Sequence, residues 1–206
     1  MILIGQYDSP FVRRVGIAMT IYRMEFEHCP WSVFADADRL RAVNPLTRVP
    51  TLVLDDGDVL TDSHLILDYL DSRAETPLLP RAEPARHRAL RVVGLACGLA
   101  DKAVSLFYER RLHDLASPIW TARCETQIAA VLQVLEAERA KMPGPFWFGP
   151  TISHADVALA CAWRFVNEAH PGLVNARKYR AISATTAAVE SLAVFQQISQ
   201  RFVAPT

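Results

Sequence analysis

The most informative part of this sequence is the run NPLTRVPTL at residues 44–52. Its second proline, Pro50, stands directly before an apolar strand pattern and has no N–H to give to a sheet, so it belongs at a strand start or an edge. If the Val49–Pro50 bond is cis, which costs only about 0.5–1 kcal/mol for an X-Pro bond, the chain turns sharply there. The backbone N–H and C=O of Val49 then stay free to pair with an extended ligand, as a neighbouring strand would.

Asp62 and Ser63 open the next helical pattern along the chain. Asp62 is the natural N-cap of this helix. A helix N-terminus carries roughly half a positive charge and free N–H groups, so it attracts a carboxylate, and Ser63 adds a hydroxyl donor. Asp62 could in turn pair with an ammonium group. An extended backbone, a carboxylate and an amine together describe a γ-glutamyl peptide.

The pattern N-P-x-x-R-V-P-x-L, followed by D-S at a helix start, resembles the glutathione site of the glutathione S-transferase superfamily. Most members have Glu or Gln where this chain has Asp62. The resemblance implies that Val49, Pro50, Asp62 and Ser63 bind glutathione as a co-substrate and that Arg48 reaches its glycyl carboxylate. The alternative stays open that Pro50 only starts a strand, that Asp62 and Ser63 only cap a helix, and that Arg48 is a surface charge.

Ser9 is the residue that we expect to activate the thiol of glutathione. Ser9 follows the first strand pattern and is placed as the N-cap of a helix whose first residue is Pro10. A transferase must lower the thiol pKa by about two units, a stabilisation of about 2.7 kcal/mol, and a sulfur beside that helix end would feel both the dipole and the hydroxyl.

The segment SPFVRRV at residues 9–15 resembles the S-x-x-x-x-R-V-x-I-A pattern of serine-type members, such as the zeta class and many bacterial transferases, in which that serine faces the glutathione sulfur. Tyr7 is the alternative, because several classes use a tyrosine near the end of the first strand. Arg13 and Arg14 begin the same helix, where a cation is unfavourable with respect to the dipole. This position is compatible with a polar partner for either arginine, but for both we favour solvated or inter-domain salt bridges.

Members that reduce disulfides usually carry cysteine where this chain has Ser9, and thiol–disulfide exchange cannot run through a serine. A thioredoxin-like reductase is therefore disfavoured. The four cysteines are widely separated and form no C-x-x-C or His/Cys cluster. We expect reduced, mostly buried thiols and no metal site. The cysteines are Cys29, Cys97, Cys124 and Cys161.

The composition is that of a globular protein, with 206 residues of which 51% are apolar. Lys plus Arg equals Asp plus Glu, at 22 each, so no net field favours nucleic acid or an anionic membrane. The start lacks a basic region followed by an apolar run, and no stretch approaches about 20 uninterrupted apolar residues. Cytoplasmic residence is the expectation, without nucleic-acid or membrane partners.

Residues 1–75 show a β-α-β-α-β-β-α order, which predicts a mixed sheet flanked by helices. The resemblance implies a thioredoxin-like, glutathione-binding domain there. A proline-containing linker at 74–80 leads into helical patterns at 84–112 and 118–141. We therefore predict an all-α domain over 84–206, which contributes the electrophile pocket.

A further helix is predicted to begin after Ser153, with Ser153 as N-cap and Asp156 at N3 of a capping box. Ile152 and Val157 have the spacing of a hydrophobic staple around it. The same capping box recurs in the helical domain of the superfamily, so the resemblance spans essentially the whole chain. Its expected role is in folding rather than in chemistry.

The resemblance implies a cytoplasmic, homodimeric detoxification enzyme in which the glutathione thiolate attacks a small hydrophobic electrophile. That second substrate would lie between the domains, against side chains such as Phe11 and Tyr108. Asp101 falls where members often place an acidic residue that reaches a partner subunit's glutathione, a solvated helix surface being the alternative. A glutathione-dependent isomerase or dehalogenase would look the same in sequence, and a non-catalytic binding or regulatory protein of this fold is a further alternative.

Overall fold

The structure is a computed structural model that describes residues 1–204. It divides into two compact units, which we call unit 1 and unit 2. Unit 1 comprises Met1–Leu78 together with the chain from Ala193 onward, and unit 2 comprises Leu79–Leu192. We refer to residues 193–204 as the C-terminal segment. The sequence interpretation placed this segment in the helical domain, whereas its contacts place it with the N-terminal part of the chain.

Within the described residues, unit 1 contains a four-stranded sheet in the order β2-β1-β3-β4. The strands are β1 (Ile2–Ile4), β2 (Glu27–Cys29), β3 (Thr51–Val53) and β4 (Val59–Thr61). β1 and β2 are parallel, and the β1–β3 and β3–β4 pairs are antiparallel. The predicted mixed sheet is therefore confirmed.

The helices as far as residue 169 follow the predicted order along the chain, and those after it were not individually predicted. They are α1 (Pro10–Ile21), α2 (Ala37–Val43), α3 (Ser63–Arg73), α4 (Ala85–Leu112), α5 (Pro118–Arg139), α6 (His154–Ala169), α7 (Arg180–Glu190) and α8 (Ala193–Gln197), with a 3₁₀ turn at Ala176–Lys178. In the part of the chain that is described, no helix combines the length and the apolar character needed to cross a membrane.

The core of unit 1 lies between the sheet and helices α1 and α3. Leu3 on β1 and Leu52 on β3 are fully buried, and so are Ile66 and Leu70 on α3. α1 is buried along nearly its whole length, from Val12 to Met19. A helix that is buried all round has contacts on every face. α1 accordingly packs against both α3 and α8.

Strand register brings three loops together. Ile4 pairs with Thr51, and Thr51 pairs with Thr61 on its other side. Because both pairings are antiparallel, the end of β1, the start of β3 and the end of β4 meet at one edge of the sheet. The loop that leads to Ser9, the Val49–Pro50 turn and the Asp62–Ser63 helix start must therefore lie at this edge.

Unit 2 is helical within the described residues, as the sequence predicted, and α4 packs against both α5 and α6. α6 is the central helix, since its residues from His154 to Trp163 are all buried. Arg139 closes the end of α5, where its guanidinium donates to the carbonyl oxygens of Met142 (2.8 Å) and Gly144 (2.7 Å). A buried arginine of this kind is stable because its N–H groups have acceptors.

The predicted capping box at the start of α6 is confirmed. Asp156 Oδ2 accepts hydrogen bonds from the N–H of Ser153 (2.9 Å) and from its hydroxyl (2.7 Å). Asp156 Oδ1 also accepts the N–H of Trp147 at 2.6 Å, so the carboxylate ties the preceding loop to the helix start. Burial raises the pKa of Asp156, and these three donors are what keep a carboxyl group acceptable at this position.

Replacing Asp156 by Ala should lower the free energy of unfolding by about 3 kcal/mol, because it leaves two buried backbone N–H groups without acceptors. Ser153→Ala, which removes only the hydroxyl donor, should cost about 1 kcal/mol. Urea unfolding of both variants measures the difference. Equal losses in the two variants would contradict the role assigned to the carboxylate.

Candidate active site

The turn at Val49–Pro50 contains the cis peptide bond that the sequence suggested. Asn44 holds this turn, because its Nδ2 donates to the Arg48 carbonyl oxygen (3.1 Å) and to Thr51 Oγ1 (2.9 Å). Thr51 Oγ1 also donates to the Arg48 carbonyl oxygen at 2.8 Å. Within residues 1–204, the N–H and C=O of Val49 have no hydrogen-bond partner. They form a short polar edge that an extended peptide could pair with.

Gly5 brings this turn against the start of α1. Its φ is +130°, and a Cβ added there would lie 2.6 Å from Val12 Cγ2 and 2.8 Å from Val49 Cβ. Only glycine fits both the backbone conformation and the space. The Val49 side chain therefore rests directly on the end of β1, beside the first turn of α1.

Ser9 is the N-cap of α1, and Pro10 is its first helical residue, as predicted. Its Oγ accepts the N–H of Val12 at 3.4 Å. A hydroxyl has one proton to donate in addition to the lone pairs that accept, and no acceptor for the Ser9 proton is present in the described part of the chain. Ser9 could thus donate to an anion held at the positive end of α1, and this role stays a prediction.

Tyr7 lies in a different environment from Ser9. Its side chain is buried, its ring stacks on the His28 imidazole with 3.8 Å between ring centroids, and a Cβ added at Gly16 would lie 2.8 Å from Tyr7 Cε1. Burial raises the pKa of Tyr7 to about 12. The ring is packed as a core side chain between β2 and α1, which favours Ser9 over Tyr7 as the group that meets a ligand thiol.

Asp62 and Ser63 occupy the start of α3. Asp62 is the N-cap, as predicted, and its Oδ1 accepts the N–H of His64 at 2.8 Å. Its backbone has φ +69°, a left-handed conformation that costs energy in a residue other than glycine and is concentrated at functional sites. The Asp62 side chain is exposed, whereas Ser63 is only 3% exposed. An exposed carboxylate therefore stands next to a hydroxyl at the positive end of α3.

Arg13 and Arg14 are not solvated, because both side chains are buried, at 2% exposure each. Arg14 Nη1 donates to Ser63 Oγ at 3.2 Å. The Ser63 hydroxyl therefore accepts a hydrogen bond from Arg14 and can use its own proton to donate to a ligand carboxylate. Arg13 instead donates to carbonyl oxygens of the C-terminal segment.

The remaining predicted residues are distributed over both units. Phe11 is half-buried in the first turn of α1, and Arg48 is exposed in the turn before Pro50. Tyr108 lies on α4 of unit 2, where its ring is 5.9 Å from that of Phe107. Asp101 is exposed on the same helix and is paired with Lys102 at 2.8 Å. The structure thus gathers Ser9, Phe11, the Arg48–Pro50 turn and Asp62–Ser63 at one edge of the unit 1 sheet, while Tyr108 belongs to unit 2.

The sequence did not reveal that two residues, Asn44 and Arg14, position the loops at this edge. Asn44 precedes a proline, and Asn-Pro is a turn signal that could have indicated a buried hydrogen-bonding role. Arg14 lies in a helix that is otherwise apolar apart from Arg13 and Thr20, a pattern that leaves no solvent-facing polar stripe. Neither signal identifies the partner, which for Arg14 is Ser63, 49 residues away in sequence.

None of the four cysteines of the chain is in a disulfide bond. Cys97, Cys124 and Cys161 are buried, and Cys29 on β2 is half-exposed. Burial raises the pKa of the Cys29 and Cys124 thiols, which lowers their thiolate fraction and hence their reactivity.

Comparison with known proteins identifies the family. Residues 3–78 match the glutathione S-transferase N-terminal domain, and residues 118–189 match the glutathione S-transferase C-terminal domain. The Escherichia coli K12 protein YibF, described as an uncharacterized GST-like protein, is 30% identical over 81% of this chain and 82% of its own length.

Two further proteins are similar over most of the chain. A probable maleylacetoacetate isomerase 1 of Drosophila melanogaster is 28% identical over 87% of this chain and 70% of its own length. The crystal structure of a glutathione transferase family member from Pseudomonas fluorescens Pf-5, with bound glutathione, superimposes with a TM-score of 0.80 at 29% identity, covering 96% of this chain and 97% of that one.

Both family domains and the structural likeness agree with the fold described above. Unit 1 carries the thioredoxin-like sheet, and unit 2 carries the helices of the second domain. The loops at the sheet edge are those that the resemblance singled out in the sequence. The chain belongs to the glutathione S-transferase superfamily.

Proposed function

We propose that the protein is a glutathione S-transferase that binds glutathione at the unit 1 sheet edge and activates its thiol with Ser9. The observation that carries the proposal is the meeting of three complementary features at that edge. They are the unpaired backbone of Val49, the exposed carboxylate and buried hydroxyl at the start of α3, and the Ser9 hydroxyl at the start of α1. The similarity to a family member crystallised with glutathione supports the same conclusion.

Glutathione would bind as a short added strand. The N–H and C=O of Val49 pair with the peptide backbone, as in strand addition to a sheet edge. The γ-glutamyl carboxylate accepts from the Ser63 hydroxyl and lies at the positive end of α3, while Asp62 pairs with the ammonium group. Arg48, exposed beside the turn, pairs with the glycyl carboxylate.

Catalysis would follow from the position of the sulfur beside α1. The helix dipole and the Ser9 hydroxyl stabilise the thiolate, so the thiol proton is released to solvent near neutral pH. The thiolate then attacks an electrophilic carbon held next to it, forming the S–C bond with an advantage from proximity. Phe11 and Tyr108 are the side chains that we propose for contact with a small hydrophobic electrophile.

An isomerase is the second candidate, because the chain resembles a probable maleylacetoacetate isomerase over 87% of its length. In such a reaction the thiolate adds to the substrate, a bond rotates, and the thiolate leaves again, so glutathione is returned unchanged. The same residues would perform the addition. A non-catalytic protein would bind glutathione without activating its thiol. The Ser9 hydroxyl at the helix start argues against this alternative.

We further propose a cytoplasmic homodimer, as the family resemblance implies. Exposed apolar side chains on unit 1, among them Leu46 (62% exposed) and Leu65 (66% exposed), are of the kind that subunit contacts cover. Cysteines without disulfide bonds accord with a reducing compartment. In a dimer, Asp101 is a candidate for contact with the partner's glutathione.

Glutathione should bind the purified protein saturably at micromolar to millimolar concentration, as measured by isothermal titration calorimetry. Asp62→Ala should weaken this binding roughly tenfold, because it removes a charge-assisted hydrogen bond to the ammonium group. Asp58→Ala, which removes an exposed carboxylate from the β3–β4 hairpin, is the matched control and should bind like the wild type. Absence of binding to the wild type would contradict the proposed function.

Replacing Ser9 by Ala should raise the thiol pKa of bound glutathione by about two units and lower kcat/KM for a model electrophile by roughly 25-fold at about pH 7. Ser9→Thr, which keeps a hydroxyl and a helix cap, should retain most of the activity. The ultraviolet absorbance of the thiolate, followed against pH, measures the shift directly. An unchanged pH profile in Ser9→Ala, together with a loss of activity in Tyr7→Phe, would transfer the role to Tyr7.

A further inference from the structure

The C-terminal segment is fastened to α1 by a buried arginine. Arg13 Nε donates to the Ile198 carbonyl oxygen at 2.8 Å, and Arg13 Nη2 donates to the Phe195 carbonyl oxygen at 2.9 Å. Its guanidinium also lies over the Phe195 ring, 5.5 Å from the centroid. Phe195 and Ile198 are themselves buried. Charged donors to carbonyl groups in a buried site hold this part of the chain in one position.

Beyond Ile198 the segment reaches the loop that precedes Ser9. Gln200 Oε1 accepts the N–H of Tyr7 at 3.1 Å. The N–H of Val203 donates to Asp8 Oδ2 at 3.3 Å. Tyr7 and Asp8 are the two residues directly before Ser9, so the far end of the chain contacts both neighbours on that side.

The packing beneath the loop joins the same elements. A Cβ added at Gly16 of α1 would lie 2.8 Å from Tyr7 Cε1 and 3.0 Å from Ile198 Cγ2. The Tyr7 ring, α1 and the C-terminal segment are thus in direct contact. Any shift of the segment would therefore alter both its hydrogen bonds to the loop and the packing around the Tyr7 ring.

Few hydrogen bonds within the loop itself hold its conformation. The N–H of Ser9 donates to the Gln6 carbonyl oxygen at 3.1 Å, which closes a tight turn. The Tyr7 N–H, which is partly buried, has its acceptor on Gln200. Loss of that acceptor would leave a backbone donor unsatisfied, and the turn would rearrange to satisfy it.

We propose that the C-terminal segment is a positioning element for Ser9 and that Gln200 is a positioning residue for thiol activation. This inference rests on the proposed function, in which Ser9 donates to the glutathione sulfur. A catalytic group must be held within about half an ångström of its productive position, and the hydrogen bond from Tyr7 to Gln200 is one that fixes the chain two residues away. The segment itself does not touch the ligand in this mechanism.

The test compares three full-length variants with the wild type. Gln200→Met keeps the length of the side chain and removes the acceptor. Gln200→Glu keeps an acceptor oxygen. Gln197→Met makes the same change as the first variant at an exposed glutamine of α8 and is the matched control.

The first readout is hydrogen–deuterium exchange without ligand, resolved for peptides that cover residues 5–9. Exchange there should increase in Gln200→Met and remain as in the wild type in Gln200→Glu and Gln197→Met. Exchange in the buried middle of α1 should not change in any variant. Unchanged exchange at residues 5–9 in Gln200→Met would overturn the positioning role.

The second readout is the pKa of bound glutathione, from thiolate absorbance against pH. Gln200→Met should raise it by about half a unit, a roughly threefold loss of thiolate below that pKa, with a matching shift in the pH profile of kcat/KM. The calorimetric affinity for glutathione should stay within about twofold, because Val49, Asp62 and Ser63 are untouched. A lowered melting temperature with an unmoved pH profile would show that Gln200 is only structural and would overturn the inference.

The two readouts separate this inference from the proposed function. A wild-type protein without glutathione binding overturns the proposed function, and with it the link from Gln200 to thiol chemistry. The exchange comparison needs no ligand, so it still confirms or overturns the contact between the C-terminal segment and the loop. Glutathione binding with an unshifted thiol pKa in Gln200→Met overturns the inference alone.

Discussion

The double pairing of Thr51, with Ile4 on one side and Thr61 on the other, is the constraint on which the site depends. A slip of one residue in either antiparallel ladder would turn every side chain of that strand to the opposite face and would separate the three loops. The strands are only three residues long, so few backbone hydrogen bonds hold this register. Buried apolar residues such as Leu3 and Leu52 also fix the register, because a slip would turn their side chains away from the core.

Buried polar side chains complete what the sheet begins. Asn44 closes the turn before β3, Arg14 joins α1 to the first residue of α3, and Arg13 joins α1 to the C-terminal segment. Each of these side chains exchanges hydrogen bonds to water for hydrogen bonds to specific protein groups. Burying such a side chain costs free energy unless these hydrogen bonds are well aligned. Such groups add little net stability, yet they exclude alternative arrangements of the loops. That property suits a site whose ligand groups come from three separate loops.

Much of the fold could be predicted because it follows from local rules. The N-caps at Ser9, Asp62 and Ser153 depend on the few residues after them, and helix periodicity locates α1 and α3 without any tertiary information. The positions of Arg13 and Arg14 could not be predicted in this way. Their acceptors lie 49 residues or more away in sequence, and only the folded chain shows that the first turns of α1 are enclosed. The assignment of the C-terminal segment to unit 1 has the same origin, since its partners are residues 7, 8 and 13.

The C-terminal segment also sets an order of events in biosynthesis. The ribosome makes Met1–Leu78 before Leu79–Leu192, and it completes both before it adds the residues that bond to Tyr7, Asp8 and Arg13. All four strands of unit 1 are therefore translated before the residues that form these bonds to the loop before Ser9. A product released early by a premature stop codon in unit 2 would retain every strand of unit 1 but not the residues that brace this loop. In this architecture, residues translated after unit 2 complete a unit whose strands were all translated before it.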